Sequence, residues 1–145
     1  NLIGDKENLK ICLIEDDESL RFTVKEILEK QNVQIMEAEN GKVGMNILQN
    51  EEIKPDLILL DLMMPVMNGF EFLKAIRETE LNSIPILVLT GAELSGDEKT
   101  FLLGETQRIL EKSEDTMSTI VNEVSNVIKA SSFKNGDKKW QKYYM

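Results

Sequence analysis

Five short runs of apolar residues alternate with stretches whose apolar residues recur every three or four positions. The runs are Lys10–Ile14, Gln34–Glu37, Leu57–Leu60, Ile86–Leu89 and Thr106–Leu110. A run such as Leu57–Leu60, apolar at every position, predicts a strand covered on both faces, as in a parallel sheet between helices. Between the runs, Leu20, Val24, Ile27 and Leu28 share one helix face, as do Val43, Ile47 and Leu48, and then Phe70, Leu73 and Ile76. Met117, Ile120, Val121, Val124, Val127 and Ile128 form the clearest stripe. A fourth helix between Gly91 and Gly104 is weaker. Leu94, Phe101 and Leu102 fit one face, but Ser95-Gly96-Asp97 interrupts the pattern and predicts a helix cut to one or two turns. Pro85 leads into the fourth run, a position where proline is tolerated.

Strands alternating with helices imply right-handed crossovers and parallel pairing. The expected fold is α/β, a three-layer (βα)5 doubly wound sandwich with strand order 2-1-3-4-5. Residues 9–130 make up this domain, residues 1–8 are a flank, and residues 131–145 are a basic, aromatic tail.

Charge narrows the choice of partners. The 145 residues hold 17 basic and 26 acidic side chains, a net charge of −9. An acidic body argues against nonspecific nucleic-acid binding and against an anionic membrane surface. No apolar stretch approaches the roughly 20 residues of a membrane span. Cys12 is the single cysteine and lies within an apolar run, which suggests a buried thiol in a reducing cytoplasm. There is no histidine, so His-based triads, imidazole ligands and phosphohistidine are all excluded from this sequence.

What remains is carboxylate, hydroxyl and amine chemistry. Asp61 closes the third apolar run, and Glu15-Asp16-Asp17 closes the first. In the 2-1-3-4-5 order, strands one and three are neighbours and the winding reverses between them, which is where open α/β sheets bind ligands. Asp16, Asp17 and Asp61 therefore converge at the carboxyl edge. Two carboxylates about 4 Å apart repel by roughly 4 kcal/mol at an effective dielectric near 20. A hard divalent cation such as Mg²⁺ relieves that repulsion and suits an all-oxygen site. Thr90 ends strand four and Lys112 follows strand five, so a hydroxyl and an ammonium join the same edge. This constellation suits a phosphoryl group, with one aspartate as nucleophile. Each residue also has a plainer use: Asp16 or Asp17 as a cap of the first helix, Thr90 as a strand residue, Lys112 as a solvated charge.

The acidic pair, Asp61 followed by Met-Met-Pro-Val-Met-Asn-Gly69, the later Thr90-Gly-Ala92 and a lone Lys112 closely resemble the receiver domain of two-component response regulators. The resemblance spans about residues 9–130 and implies a flavodoxin-like fold. It also implies that Asp61 accepts a phosphoryl group from a phosphohistidine on a histidine kinase or a His-containing phosphotransfer protein. By that resemblance, Asp17 and Asp61 bind Mg²⁺ directly with the backbone carbonyl of Met63, Asp16 acts through water, and Thr90 and Lys112 contact the phosphoryl oxygens. Such a domain is a switch in phosphorelay signalling, catalyses only its own phosphorylation and slow dephosphorylation, and can dimerise on phosphorylation. It is not expected to bind nucleic acid or insert into a membrane. A Mg²⁺-dependent phosphatase is less consistent, because Met63 offers no general acid two residues after Asp61.

Two departures from the family pattern stand out. Ser113 follows Lys112, where the family usually carries proline in a cis bond; a cis bond to a non-proline residue costs roughly 3–4 kcal/mol. The local turn is therefore either trans, with Lys112 displaced, or strained. Ile109 occupies the position of an aromatic switch residue whose partner is Thr90, and an isoleucine cannot make the same rotation. Both leave room for a receiver-like module that binds a partner without phosphorylation. About fifteen residues follow the last helix, too few for a DNA-binding domain. A stand-alone regulator and a segment of a larger protein, such as a hybrid kinase, therefore both remain open.

Overall fold

In the computed structural model, which describes residues 8–50, 52 and 54–132, the five apolar runs become one parallel sheet. Its strands are β1 (Lys10–Ile14), β2 (Gln34–Ala38), β3 (Leu57–Leu60), β4 (Ile86–Thr90) and β5 (Arg108–Glu111), in the order β2-β1-β3-β4-β5. Among the described residues the helices are α1 (Glu18–Glu29), α2 (Gly41–Asn50), α3 (Gly69–Arg77), α4 (Gly96–Glu105) and α5 (Glu114–Ser132), with a 3₁₀ turn at Glu80–Ser83. The expected doubly wound sandwich is the observed one. Most of the flank (1–7) and of the tail (133–145) lies outside the described residues.

The unbroken apolar runs serve two separate cores. Successive side chains of a strand point to opposite faces. Ile11 and Leu13 of β1, Leu57 and Leu59 of β3, and Leu87 and Leu89 of β4 pack against α1 and α5. Cys12 and Ile14, Ile58 and Leu60, and Ile86 and Val88 pack against α2, α3 and Leu102 of α4. Both faces must therefore be apolar, which is why these strands show no alternation. β1 pairs with β3 from Ile11↔Leu57 to Ile14↔Leu60, which brings both strands to their carboxyl ends at the same level.

Three strands end one residue later than their apolar runs, and two boundaries differ by more than that. Ser95-Gly96-Asp97 does not break α4; it starts it. The Ser95 hydroxyl accepts the Glu98 amide at 3.1 Å, and the Glu98 carboxylate accepts the Ser95 amide at 2.8 Å. That reciprocal capping box satisfies amides otherwise left without partners at a helix start, and α4 runs for 10 residues. β5 begins at Arg108, not Thr106, because Thr106 closes α4. Its amide and hydroxyl both donate to the Leu102 carbonyl, at 2.8 and 2.7 Å.

The loop from Asp61 to Gly69 contains one strained residue. Val66 has φ 69°, and the Met67 amide reaches back to the Pro65 carbonyl at 2.7 Å. A β-branched side chain is disfavoured in this left-handed region by roughly 1–2 kcal/mol. Val66→Gly is expected to raise stability by about 1 kcal/mol, as the relief of strain outweighs the added freedom of the unfolded chain. A urea midpoint that falls on this substitution contradicts that account.

Candidate functional site

The ends of β1 and β3 carry the acids. The Asp61 amide donates to the Ile14 carbonyl at 2.9 Å, and the Glu15 amide to the Ala38 carbonyl at 3.0 Å, so the sheet ladder runs directly into both. Carboxylate oxygens of Glu15, Asp16 and Asp61 all lie within 4.8 Å of one another. Glu15 and Asp61 are only 1% and 2% exposed, whereas Asp16 faces solvent. Behind them, the Lys112 ammonium sits 2.9 Å from Glu15 Oε1 and 3.2 Å from Asp61 Oδ1. Thr90, also buried, uses its hydroxyl to accept the Ala92 amide at 3.0 Å.

Asp17 is not in this group. Its carboxylate accepts the Leu20 amide at 3.1 Å and caps α1, the plainer of the two uses open to it. Glu15, not among the expected site residues, takes the inner place. Its second oxygen accepts the Asp17 amide at 3.1 Å. Lys112 is not displaced by Ser113. No peptide bond among the described residues is cis. The Ser113 hydroxyl instead accepts the Thr116 amide at 3.1 Å at the start of α5, while the Lys112 amide extends the sheet to the Thr90 carbonyl at 2.9 Å. Ile109 is half-buried and packs toward the α2–α3–α4 core. With Thr90, Leu103 and Lys112 it lines an open cleft of about 910 Å³ beside the acids.

The donor set fits a hard cation. Asp61 Oδ2 is buried and accepts no hydrogen bond, an arrangement that costs free energy unless a positive group meets it. Met63 follows two residues later, its amide 3.4 Å from Asp61 Oδ1 and the residue 62% exposed. The backbone at Met63 is therefore at the rim of the same site.

A family model described as response regulator receiver domain matches residues 11–125. The chain belongs to this family. Transcriptional regulatory protein CpxR of Escherichia coli K12 is 38% identical over 85 residues, covering 59% of this chain and 35% of CpxR. Protein PilH of Pseudomonas aeruginosa is 30% identical over 89 residues, 61% of this chain and 72% of PilH. The solved structure of chemotaxis protein CheY4 of Vibrio cholerae matches with a TM-score of 0.72 at 29% identity, over 83% of this chain and 98% of that one. The chain spans little more than a third of the length of CpxR.

The acids of this receiver domain are costly to keep charged. Burial, more than any neighbour, pushes the Glu15 carboxyl up to about 7, and burial likewise raises Asp61. Lys112 opposes both shifts. Its own ammonium is disfavoured by burial, but Glu15 and Asp61 more than offset this and raise it. A carboxyl raised in the folded state binds a proton that the unfolded chain releases. Its stabilising contribution is thus complete below the ordinary carboxylate range and is lost as pH rises toward 7. Without divalent cation, the unfolding midpoint is expected to fall between pH 5 and pH 8. Glu15→Gln flattens that fall, and Mg²⁺ restores stability at pH 8. Thermal melts at both pH values check this, and a midpoint that rises with pH in the cation-free protein contradicts it. Glu37, lowered mainly by Lys25, loses its contribution only at more acid pH and stays out of this window.

Proposed function

We propose that this receiver domain is a phosphorylatable switch in which Asp61 accepts a phosphoryl group and Mg²⁺ is held by Asp16, Asp61 and the Met63 backbone carbonyl. The observation that carries this reading is Asp61 Oδ2, buried without a donor inside a three-carboxylate cluster and beside Lys112. Asp16 takes the ligand role expected of Asp17, because it is the acid whose oxygen stands among the three. When bound, Mg²⁺ neutralises the carboxylates and the oxygens of the incoming group.

The chain's own residues then have distinct tasks. An Asp61 carboxylate oxygen attacks phosphorus, the P–N bond to the donor imidazole breaks, and an acyl phosphate forms while the released imidazole takes up a proton. Lys112 stabilises the charge on the transferred group, and the Thr90 hydroxyl turns from the Ala92 amide to donate to a phosphoryl oxygen. Ile109 lines the same cleft beside Thr90 and is the residue expected to respond, without the rotation an aromatic side chain makes there. This sequence has no histidine, so the donor lies outside it, on a histidine kinase or a His-containing phosphotransfer protein. The only catalysis assigned to the chain is its own phosphorylation and slow dephosphorylation. Dimerisation on phosphorylation and a cytoplasmic location belong to the same reading. Among the described residues, no helix is long and apolar enough to cross a membrane.

The trans Lys112–Ser113 bond supports phosphorylation over a module that binds without it, since Nζ still reaches both acids. The direct test is incubation with a small acyl phosphate and Mg²⁺, followed by intact mass. The expected result is one added phosphoryl group per chain, and none when the cation is chelated before the phosphodonor is added. An unmodified mass in saturating Mg²⁺ sinks the reading.

A further inference from the structure

Arg21 joins the first turn of α1 to the acidic turn before it. Its amide closes the helix on the Asp17 carbonyl at 2.9 Å, and its side chain folds back, only 17% exposed. Nη1 donates to the Glu15 carbonyl at 2.7 Å. Nε lies 3.2 Å from Glu37 Oε1 at the end of β2, and the other Glu37 oxygen accepts Lys25 Nζ at 2.9 Å. The planar guanidinium thus bridges the ends of β1 and β2, a geometry that a lysine cannot reproduce because it has one charged centre instead of a fork.

The atom that Arg21 holds matters. The Glu15 carbonyl and the Asp16 amide belong to one rigid planar peptide unit. Fixing the direction of that carbonyl fixes where the chain leaves for Asp16 and so where the Asp16 carboxylate stands. The neighbours on either side are already pinned: Glu15 by Lys112 and the Asp17 amide, and Asp17 by the Leu20 amide. Asp16 is the solvent-facing member of the cluster, and its placement depends on the backbone that Arg21 grips.

We propose that Arg21 is a positioning residue for the cation site, acting through the Glu15–Asp16 peptide and itself oriented by Glu37. The inference rests on the reading that the acidic cluster holds Mg²⁺, and it names the part of the chain that shapes the cluster for the ion. Partners that orient metal ligands in this indirect way typically change affinity by about 10- to 100-fold when removed.

The test is a Mg²⁺ titration of the full chain followed by amide NMR shifts, which needs no phosphoryl transfer. Arg21→Met is expected to weaken Mg²⁺ binding by about tenfold. Arg21→Lys recovers only part of this loss, and Glu37→Gln produces a smaller loss of about two- to threefold, in keeping with a partner one step further out. A purely structural tie between α1 and the sheet predicts something else: a lower thermal midpoint for Arg21→Met with unchanged Mg²⁺ affinity. That result overturns the proposal, as does full rescue by lysine. Should Arg21→Met fail to fold, Arg21→Gln, which keeps one donor, takes its place with the same expected direction. Acyl phosphate labelling of the wild-type chain is scored separately. Weaker Mg²⁺ binding in the variant, with no labelling of the wild type, upholds Arg21's role and rejects the phosphoacceptor reading. Labelling with unaltered Mg²⁺ affinity does the reverse.

Discussion

Asp61→Asn is expected to abolish phosphoryl uptake altogether and, in the same molecule, to make the cation-free protein harder to unfold at pH 8. The two effects have one origin. Asp61 and Glu15 are both buried, and burial raises both carboxyls. Two carboxylates at about 4 Å repel by roughly 4 kcal/mol at an effective dielectric near 20. Lys112, in contact with both, offsets most of this. Removing one charge without changing the side-chain shape relieves what is left, on the order of 1 kcal/mol, which amounts to a few degrees in the melting midpoint. Asparagine also takes away the nucleophile and an oxygen for the cation, so Mg²⁺ no longer stabilises the variant. Intact mass after acyl phosphate treatment and thermal melts with and without Mg²⁺ check both halves. A phosphoryl adduct on the variant rules out Asp61 as acceptor, and a lower midpoint rules out the electrostatic account.

Gly69→Ala is expected to be the most damaging single methyl group in the region. A Cβ at Gly69 meets the Asp61 carbonyl oxygen at 2.6 Å and the Leu62 Cα at 2.7 Å. Both are backbone atoms of the segment that presents the acceptor, so neither can turn aside as a side chain end would. The Gly69 amide also donates to the Leu62 carbonyl at 2.9 Å, and this close approach anchors the start of α3 to the end of β3. Overpacking of this kind costs about 1–3 kcal/mol, more than the roughly 1 kcal/mol that alanine gains over glycine within a helix. The relieved clash displaces Asp61, and a misplacement near 1 Å lowers reaction rates by about 100-fold. Urea unfolding and the initial rate of phosphoryl uptake measure the two consequences. A stability equal to wild type contradicts the packing argument.

The fold could be read from the chain because its signals are local and redundant. Leu57–Leu60 has apolar residues for two cores at once, and the α5 stripe from Met117 to Ile128 has a single period over three turns or more. Asp61 and Lys112 were legible for the same reason: each stands at the end of a strand, and the ends of parallel strands converge. Which of the acids after β1 joins Asp61 in the cluster was less so. Three acids in succession lie between β1 and α1, and once the strand ends, alternation no longer says which one faces the site. The decisive signal was in the helix. Counting back three residues from Leu20, the first apolar residue of the α1 stripe, gives Asp17 as the cap and leaves Glu15 and Asp16 for the site. The same kind of signal marked α4, where Ser95 and Glu98 stand at capping-box spacing in a segment that looks broken by its glycine. The grip of Arg21 on a backbone carbonyl has no counterpart in side-chain pattern and needed coordinates.

Ser113 gives the last helix a short root. Strand β5 ends at Glu111, Lys112 is the next residue, and the residue after that caps the 19-residue α5 through the Thr116 and Met117 amides. Thr116 also ties its hydroxyl to the Glu111 carbonyl. The ammonium that meets the acids and the root of the longest helix among the described residues thus lie within three residues of each other. A shift of that ammonium toward a new negative charge is expected to reach the base of α5.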